Sequence, residues 1–299
     1  MKNLAIVIPA YKSTFLTEAL DSIANQTCKE FTVYIGDDHS PNDLKSIVDQ
    51  YRGNFDLVYR RFEENMGGKD LVGQWERCID MTQGEPWFWL FSDDDVMEPN
   101  CVEEFYKLIH EKPAAKLVHF NIREIDKDGH ELSKQREYPP YMTVKGYLDG
   151  KLSIAPTINS FVVEFIVHRD VFFGTGRFQK YDLAWGSDFI SWVKFADAAG
   201  GIYTCSSGHV CWRSSGENIS TDERPEIVYR KLKAIISYMQ WVLHFSQNHG
   251  YGHPWLYSKY ALGEIIRRRK TVGAKNTLRL MSEYWKSIQG YRWQMLRNI

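Results

Sequence analysis

The sequence predicts an α/β domain on a mostly parallel central sheet, with helices flanking it and a helical extension at the C-terminal end. Three observations predict it. Apolar runs and helix-spaced segments alternate four times before residue 95, the order that builds a parallel sheet with right-handed crossovers. The first run, Leu4 to Ile8, is continuously apolar, as a strand covered on both faces must be. The second and fourth runs end in acid, at Asp37-Asp38 and Asp93-Asp94-Asp95. Strand ends of this kind lie along one sheet edge, where open α/β sheets bind ligands.

The elements follow in order. Pro9-Ala10-Tyr11 ends the first strand. Ser13 is placed to cap a helix whose apolar face is Phe15, Leu16, Ala19, Leu20, Ile23 and Ala24. A second strand, Phe31 to Ile35, runs into Gly36-Asp37-Asp38-His39-Ser40. Leu44, Ile47, Val48 and Tyr51 then share a helix face. Asp56 to Phe62 reads as a third strand, and residues 69–81 as a helix with Leu71, Val72, Trp75, Cys78 and Ile79 inward. The fourth strand starts at Trp87, and a helix begins near Pro99. Leu117 to Asp126 and a strand after the Lys127-Asp128-Gly129 turn form a hairpin. In that hairpin Asp126 and Asp128 read as turn acids. Phe161 to Val167 is a further strand. From Pro225 onward Ile227 to Phe245, Leu256 to Arg268 and Thr277 to Ile288 read as three helices.

Bulk properties narrow the function. A chain of 299 residues is one large domain or two ordinary ones. The net charge of -1 gives a nucleic-acid role no support. Five cysteines without a CxxC pair fit a reduced cytosolic chain rather than a disulfide framework or zinc site. The apolar part of the N-terminus is too short for a signal peptide, and no run is long enough to span a membrane. The expected location is therefore cytoplasmic. No GxGxxG follows the first strand and no GxxxxGK[ST] occurs, so neither phosphate-binding fingerprint is present. Three adjacent carboxylates repel one another unless a cation joins them. A hard divalent metal carrying phosphates, Mg²⁺ or Mn²⁺, is one answer. A solvated acidic turn before the next helix is the other.

The ordered spacing of several short pieces resembles the family 2 glycosyltransferases of the GT-A fold. The pieces are Pro9-Ala10-Tyr11, Gln26-Thr27, Asp37-Asp38-His39-Ser40, Asn65-Met66-Gly67-Gly68, Gly84-Glu85, and Ser92-Asp93-Asp94-Asp95 with Pro99. The likeness is dense over residues 1–115 and thinner to about residue 220. It implies a nucleotide pocket lined by Pro9, Ala10 and Tyr11, with Asp38 holding the base. A carboxylate accepts the N3–H of uracil, which favours a UDP-sugar. The family's DxD motif falls on Asp94 as the metal ligand and Asp93 beside the ribose. Ser92 replaces the usual first acid. Asn65, Gly67 and Lys69 lie where backbone N–H groups and a helix N-terminus favour phosphate; Lys69 reads equally as a surface lysine. Trp185-Gly186-Ser187-Asp188 resembles the family's ED segment, implying Asp188 as catalytic base, with a helix cap as its plain alternative and Asp182 as a backup. Arg213 falls in the segment near the donor diphosphate. Ser215 stands where some members carry a metal-ligating histidine, and His209 reads as a core or loop histidine.

Together these residues imply an inverting, metal-assisted glycosyltransferase with three regions. Residues 1–115 bind the nucleotide-sugar, 116–222 carry acceptor and catalytic groups, and 223–299 form a helical region. The implied partners are a nucleotide-diphosphate sugar and a glycan or lipid-linked acceptor, with no nucleic acid. The basic run Arg267-Arg268-Arg269-Lys270 amid aromatics leaves two readings of the last helices open. One is contact with an anionic membrane; the other is packing on the catalytic domain or on a second copy of the chain. Two rival functions remain at this stage: a sugar nucleotidyltransferase, and an inactive sugar-nucleotide-binding scaffold, the latter suggested by Ser92, Ser187 and Ser215.

Overall fold

A computed structural model describes residues 2–134, 137–153, 156–216, 218–251 and 254–291. Strand β1 (Leu4–Ala10) is followed by α1 (Leu16–Ala24), β2 (Phe31–Asp37), α2 (Leu44–Val48), β3 (Asp56–Arg61), α3 (Leu71–Ile79) and β4 (Trp87–Leu90). These four strands are parallel in the order β3-β2-β1-β4. The second half adds β5 (Val96–Met97), α4 (Cys101–Glu111), β6 (Leu117–Ile125), β7 (Glu131–Lys134), β8 (Tyr141–Met142) and α5 (Val144–Leu152). Then come β9 (Phe165–His168), α6 (Arg169–Gly174), α7 (Ser187–Ala199) and β10 (Ile202–Arg213). β9 lies antiparallel between β4 and β6, and β10 runs parallel to β6. The sheet is thus parallel in its first half and mixed in its second, and the chain has the GT-A architecture.

Period-two alternation explains the continuous apolar strands. On β1, Leu4, Ile6 and Ile8 face α1 and α4, while Ala5 and Val7 face α3 and the helices that follow. Both faces are covered, so no polar residue is tolerated along the strand.

The last helices are α8 (Pro225–Asn248) and α9 (Trp255–Ser287). Buried residues of both share one apolar core with α3 and α7. Within α9 the expected segments 256–268 and 277–288 are two helical stretches that meet at a kink at Gly273, at φ 79° and ψ 162°, a conformation glycine reaches without a Cβ clash. Two expectations change. Ser13 is not the cap of α1; Phe15 precedes the helix, and Ser13 contributes only its carbonyl to the N–H of Leu16. The strand expected from Phe161 starts four residues later, because residues 162–164 take a 3₁₀ turn. That turn lets the Val163 carbonyl accept from the Trp89 indole at 2.7 Å.

Candidate active site

β1 and β4 are neighbours in register, with Val7 opposite Leu90. The acids after β4 therefore meet the loop after β1. One oxygen of Asp93 accepts the N–H groups of Tyr11 and Lys12 at 2.7 and 2.8 Å. The Lys12 ammonium lies 2.9 Å from one oxygen of Asp94, and the Ser92 hydroxyl donates to the other. Asp95 accepts the Arg213 N–H at 2.7 Å. All three carboxylates are buried. Burial, then the Asp94 charge, pushes the Asp93 carboxyl up to about 6. The same two causes hold Asp95 well above the usual carboxylate range.

These residues line a cavity of about 430 Å³. Pro9, Ala10, Tyr11, Asp38, Asn65, Gly67, Asp93 and Asp94 all belong to its wall. The structure thus gathers most of the expected nucleotide and metal residues around one space. Lys12, Trp75 and Asn218 also line it. The sequence reading passed over Lys12, although it adjoins Tyr11, and assigned Trp75 to the core. Asn218 comes from the loop after β10, too far along the chain for local pattern to place.

Asp38 is tied more closely than a free base-binding acid would be. One oxygen accepts the Met66 N–H at 2.7 Å and an Arg77 guanidinium N–H. The other accepts the Asn65 amide at 2.9 Å and the Gly67 N–H at 2.8 Å. The carboxylate's four lone-pair positions are filled by the loop it organises. Asp37 is likewise structural, accepting from the Ser40 N–H and the Tyr59 hydroxyl.

Arg213 and Lys69 are not brought to the cavity wall. Arg213 is 1% exposed. Its guanidinium donates to the carbonyl of Asp94, to the carbonyls of Asp126 and Lys127, and to Glu18 at 2.6 Å, over the ring of Phe15. It ties the acid cluster to α1 and offers no cation to the cavity. Lys69 is exposed on the loop before α3. At the tip of the β6–β7 hairpin, ligand atoms of Asp126, Asp128 and His130 lie within 4.8 Å of one another. Asp126 there accepts the N–H groups of Asp128 and His130, the turn role expected of it.

Asp188 stands in the first turn of α7, outside that cavity wall. Gly186 precedes the helix at φ 81°, and a Cβ there would fall 2.6 Å from the Tyr238 ring. Only glycine fits this entry to α7. Ser187 is buried and accepts the Tyr181 N–H at 2.9 Å, so it holds the preceding loop. Burial pushes the Asp188 carboxyl up to about 6, opposed by the Phe189 N–H and the Lys151 charge. Asp182 is occupied by Arg230 on the surface. His209 is held by Glu98 at 3.0 Å, and Ser215 by Asn218 at 2.6 Å.

The donor set of the cluster fits a hard divalent cation. It offers buried carboxylate and hydroxyl oxygens, and three adjacent carboxylates share one ammonium, that of Lys12.

Comparison with known proteins then decides the family. The model of glycosyl transferase family 2 matches residues 5–172, more than half the chain. The chain belongs to this family. The match spans β1 through most of α6 and includes the whole acid cluster. Poly(ribitol-phosphate) beta-N-acetylglucosaminyltransferase TarS of Staphylococcus aureus is 34% identical over 98 residues, which are 32% of this chain and 16% of that protein. Chondroitin synthase of Escherichia coli is 27% identical over 144 residues, 48% of this chain and 20% of that protein. A Campylobacter jejuni glucosyltransferase named for a GalNAc(5)-diNAcBac-PP-undecaprenol acceptor is 29% identical over 96 residues, 32% of this chain and 30% of that protein. The matched stretches are thus less than a third of each relative. Among solved structures, residues 1–349 of S. aureus TarS with UDP-GlcNAc superpose with a TM-score of 0.60 at 17% identity, covering 98% of this chain and 92% of that one. GalNAc-T7 with UDP, GalNAc and Mn²⁺ superposes at 0.56 and 14% identity, covering 79% and 48%. These likenesses establish the fold.

Proposed function

We propose that this glycosyltransferase moves a sugar from a nucleotide diphosphate, UDP by preference, to a hydroxyl of a glycan or lipid-linked acceptor, with inversion at the anomeric carbon. The observation that carries the reading is the cavity in which the loop after β1, the Asn65–Gly67 loop and the buried Asp93-Asp94-Asp95 cluster converge. Nucleotide and diphosphate find glycine-lined backbone on one side and a hard-oxygen cluster on the other. The TarS structure carrying UDP-GlcNAc supports the choice of UDP. Recognition of uracil N3–H by Asp38 requires one of its four present donors to give way, and the Asn65 amide is a side chain able to do so.

Asp94 is the proposed holder of Mg²⁺ or Mn²⁺, with Ser92 orienting its second oxygen. Bound there, the cation would neutralise charge developing on the leaving diphosphate. Asp93 keeps the Tyr11–Lys12 backbone in place beside the ribose. Asp188 is the proposed base. It takes the acceptor hydroxyl proton as that oxygen attacks, and its raised pKa keeps it basic enough for the task near neutrality. The proposed domains are those of the sequence reading, with the cytoplasm as the proposed location. No helix among the described residues is long and apolar enough to cross a membrane.

Calorimetric titration with UDP, GDP, dTDP and CDP, each with and without Mn²⁺, tests this reading. Metal-dependent binding of UDP that disappears in Asp94→Ala is the expected result. Binding indifferent to metal and to Asp94→Ala removes the metal assignment. Failure of all four nucleotides to bind removes the donor assignment and favours a scaffold.

A further inference from the structure

A second cavity of about 370 Å³ opens between the end of α5 and the first turns of α9. Its described lining includes Lys151, Asn159, Lys259, Glu264 and Arg267. Three cations therefore face one carboxylate. Glu264 is taken by Arg267, one helical turn away. Neither Lys151 nor Lys259 has a carboxylate within ion-pair distance among the described residues. Lys259 is held 4.8 Å over the Trp255 ring, which fixes its ammonium without neutralising it. α5 packs against α7, with the Tyr147 and Phe189 rings 5.6 Å apart, and Lys151 follows Tyr147 one turn along α5. Burial lowers the Lys151 pKa, partly offset by the charges of Asp188 and Glu164. Lys151 and Lys259 thus line one cavity beside α7, each without a carboxylate in ion-pair distance among the described residues.

We propose that this cavity binds a phosphate or diphosphate carried by the acceptor, holding it so that the attacking hydroxyl reaches Asp188. A doubly charged phosphate matches two ammonium groups where a neutral glycan would leave both desolvated and unpaired. The inference rests on the reading of Asp188 as the base and names the acceptor class for that reaction. One phosphate chemistry has two sources here: an isoprenyl diphosphate, or a polyol-phosphate chain.

The test uses the full chain saturated with UDP and Mn²⁺, so that the donor cavity is closed to the probes. Farnesyl diphosphate and a glycerol phosphate oligomer are titrated separately, with farnesol as the uncharged control. Binding of one charged probe but not farnesol, weakened about tenfold or more in Lys259→Gln and in Lys151→Gln and restored in Lys259→Arg, is expected. The probe that binds identifies the source. Thermal unfolding checks that each variant is folded; Lys259, at the cavity rim, decides the question if Lys151→Gln does not fold. UDP binding with no binding of either charged probe, or with binding unchanged in Lys259→Gln, overturns the inference and leaves the donor reading standing. If UDP itself fails to bind, the donor reading falls, and the lysine dependence of the probe titration still decides the cavity.

Discussion

Asp38 and Asp188 are both carboxylates withdrawn from bulk water, but the protein surrounds them differently. Asp38 accepts four donors, three from the loop at residues 65–67 and one from Arg77. Asp188 is left to burial, its own and the Phe189 backbone N–H, and the Lys151 charge. In the proposed reading the donor side is preorganised, with Asp38 and Asp93 committed to positioning backbone, and the acceptor side is left with a sparsely partnered acid. Nearby His119 is buried with neither ring nitrogen hydrogen-bonded, and burial pushes it down to about 3. It lies 3.7 Å from Glu164, whose carboxyl burial also raises. An acid whose lone pairs are all filled fixes the geometry of its loop, whereas one with few partners keeps oxygen free to exchange a proton.

Breaking this contrast at Asp188 has the largest expected effect. Asp188→Asn should lower kcat by about 10²–10⁴-fold while UDP affinity stays within about twofold. Steady-state kinetics and a UDP titration measure the two, and an unchanged kcat would remove the base assignment. On the donor side, Asp94→Ala should weaken metal-dependent UDP binding by about 10–100-fold or more, since even supporting residues of metal sites carry that much. Asp38→Asn should lower unfolding stability by about 1–3 kcal/mol, because its new amide N–H₂ faces donors where oxygen accepted them; denaturant unfolding reads this directly.

The pH dependence separates the two sides further. As the proposed base Asp188 would work as a carboxylate, and its pKa is raised to about 6. The rate should therefore fall about tenfold per pH unit below 6 and level off above it. Stability runs the other way. A carboxyl with a raised folded pKa binds its proton more tightly in the native state, so its contribution is full below the unfolded value and is lost as pH rises through about 6. Asp188→Asn should remove the acid limb of the rate and the Asp188 share of the stability change, leaving the share of Asp93, and a wild-type rate profile without an acid limb near 6 would count against the base assignment. The smallest effect is expected at Lys69. Lys69→Gln should change UDP affinity less than about threefold, since the side chain is exposed and off the cavity wall.

What was legible in the sequence was what local pattern encodes. The strands from Leu4, Phe31 and Trp87 follow from uninterrupted apolar runs, and the acids at their ends follow from strand direction. Long-range partners were not legible. Lys12 and Asp94 are 82 residues apart, and Arg213 and Asp95 are 118 apart. No local rule distinguishes an arginine that will face phosphate from one that will be buried against Phe15 and Glu18. Ser13 was read as a helix cap on residue type alone, a preference the chain overrides by starting α1 after Phe15.

The burial of Arg213 has a consequence for how the protein is made. Arg213, which ends the tenth strand, donates its N–H to the Asp95 carboxylate and its guanidinium to the Asp94 carbonyl. Glu18, its other partner, lies 195 residues earlier. The loop to be closed is long, and contacts of such separation form late. Until β10 docks, three adjacent carboxylates have Lys12 and solvent as their counter-charges and repel one another into the open. The catalytic edge is therefore among the last parts of the molecule to mature, although its residues are synthesised first. Pulsed hydrogen exchange during refolding should protect the Tyr11 and Lys12 amides, which donate to Asp93, no earlier than the amide of Arg213. Earlier protection would show an edge that assembles without its clasp.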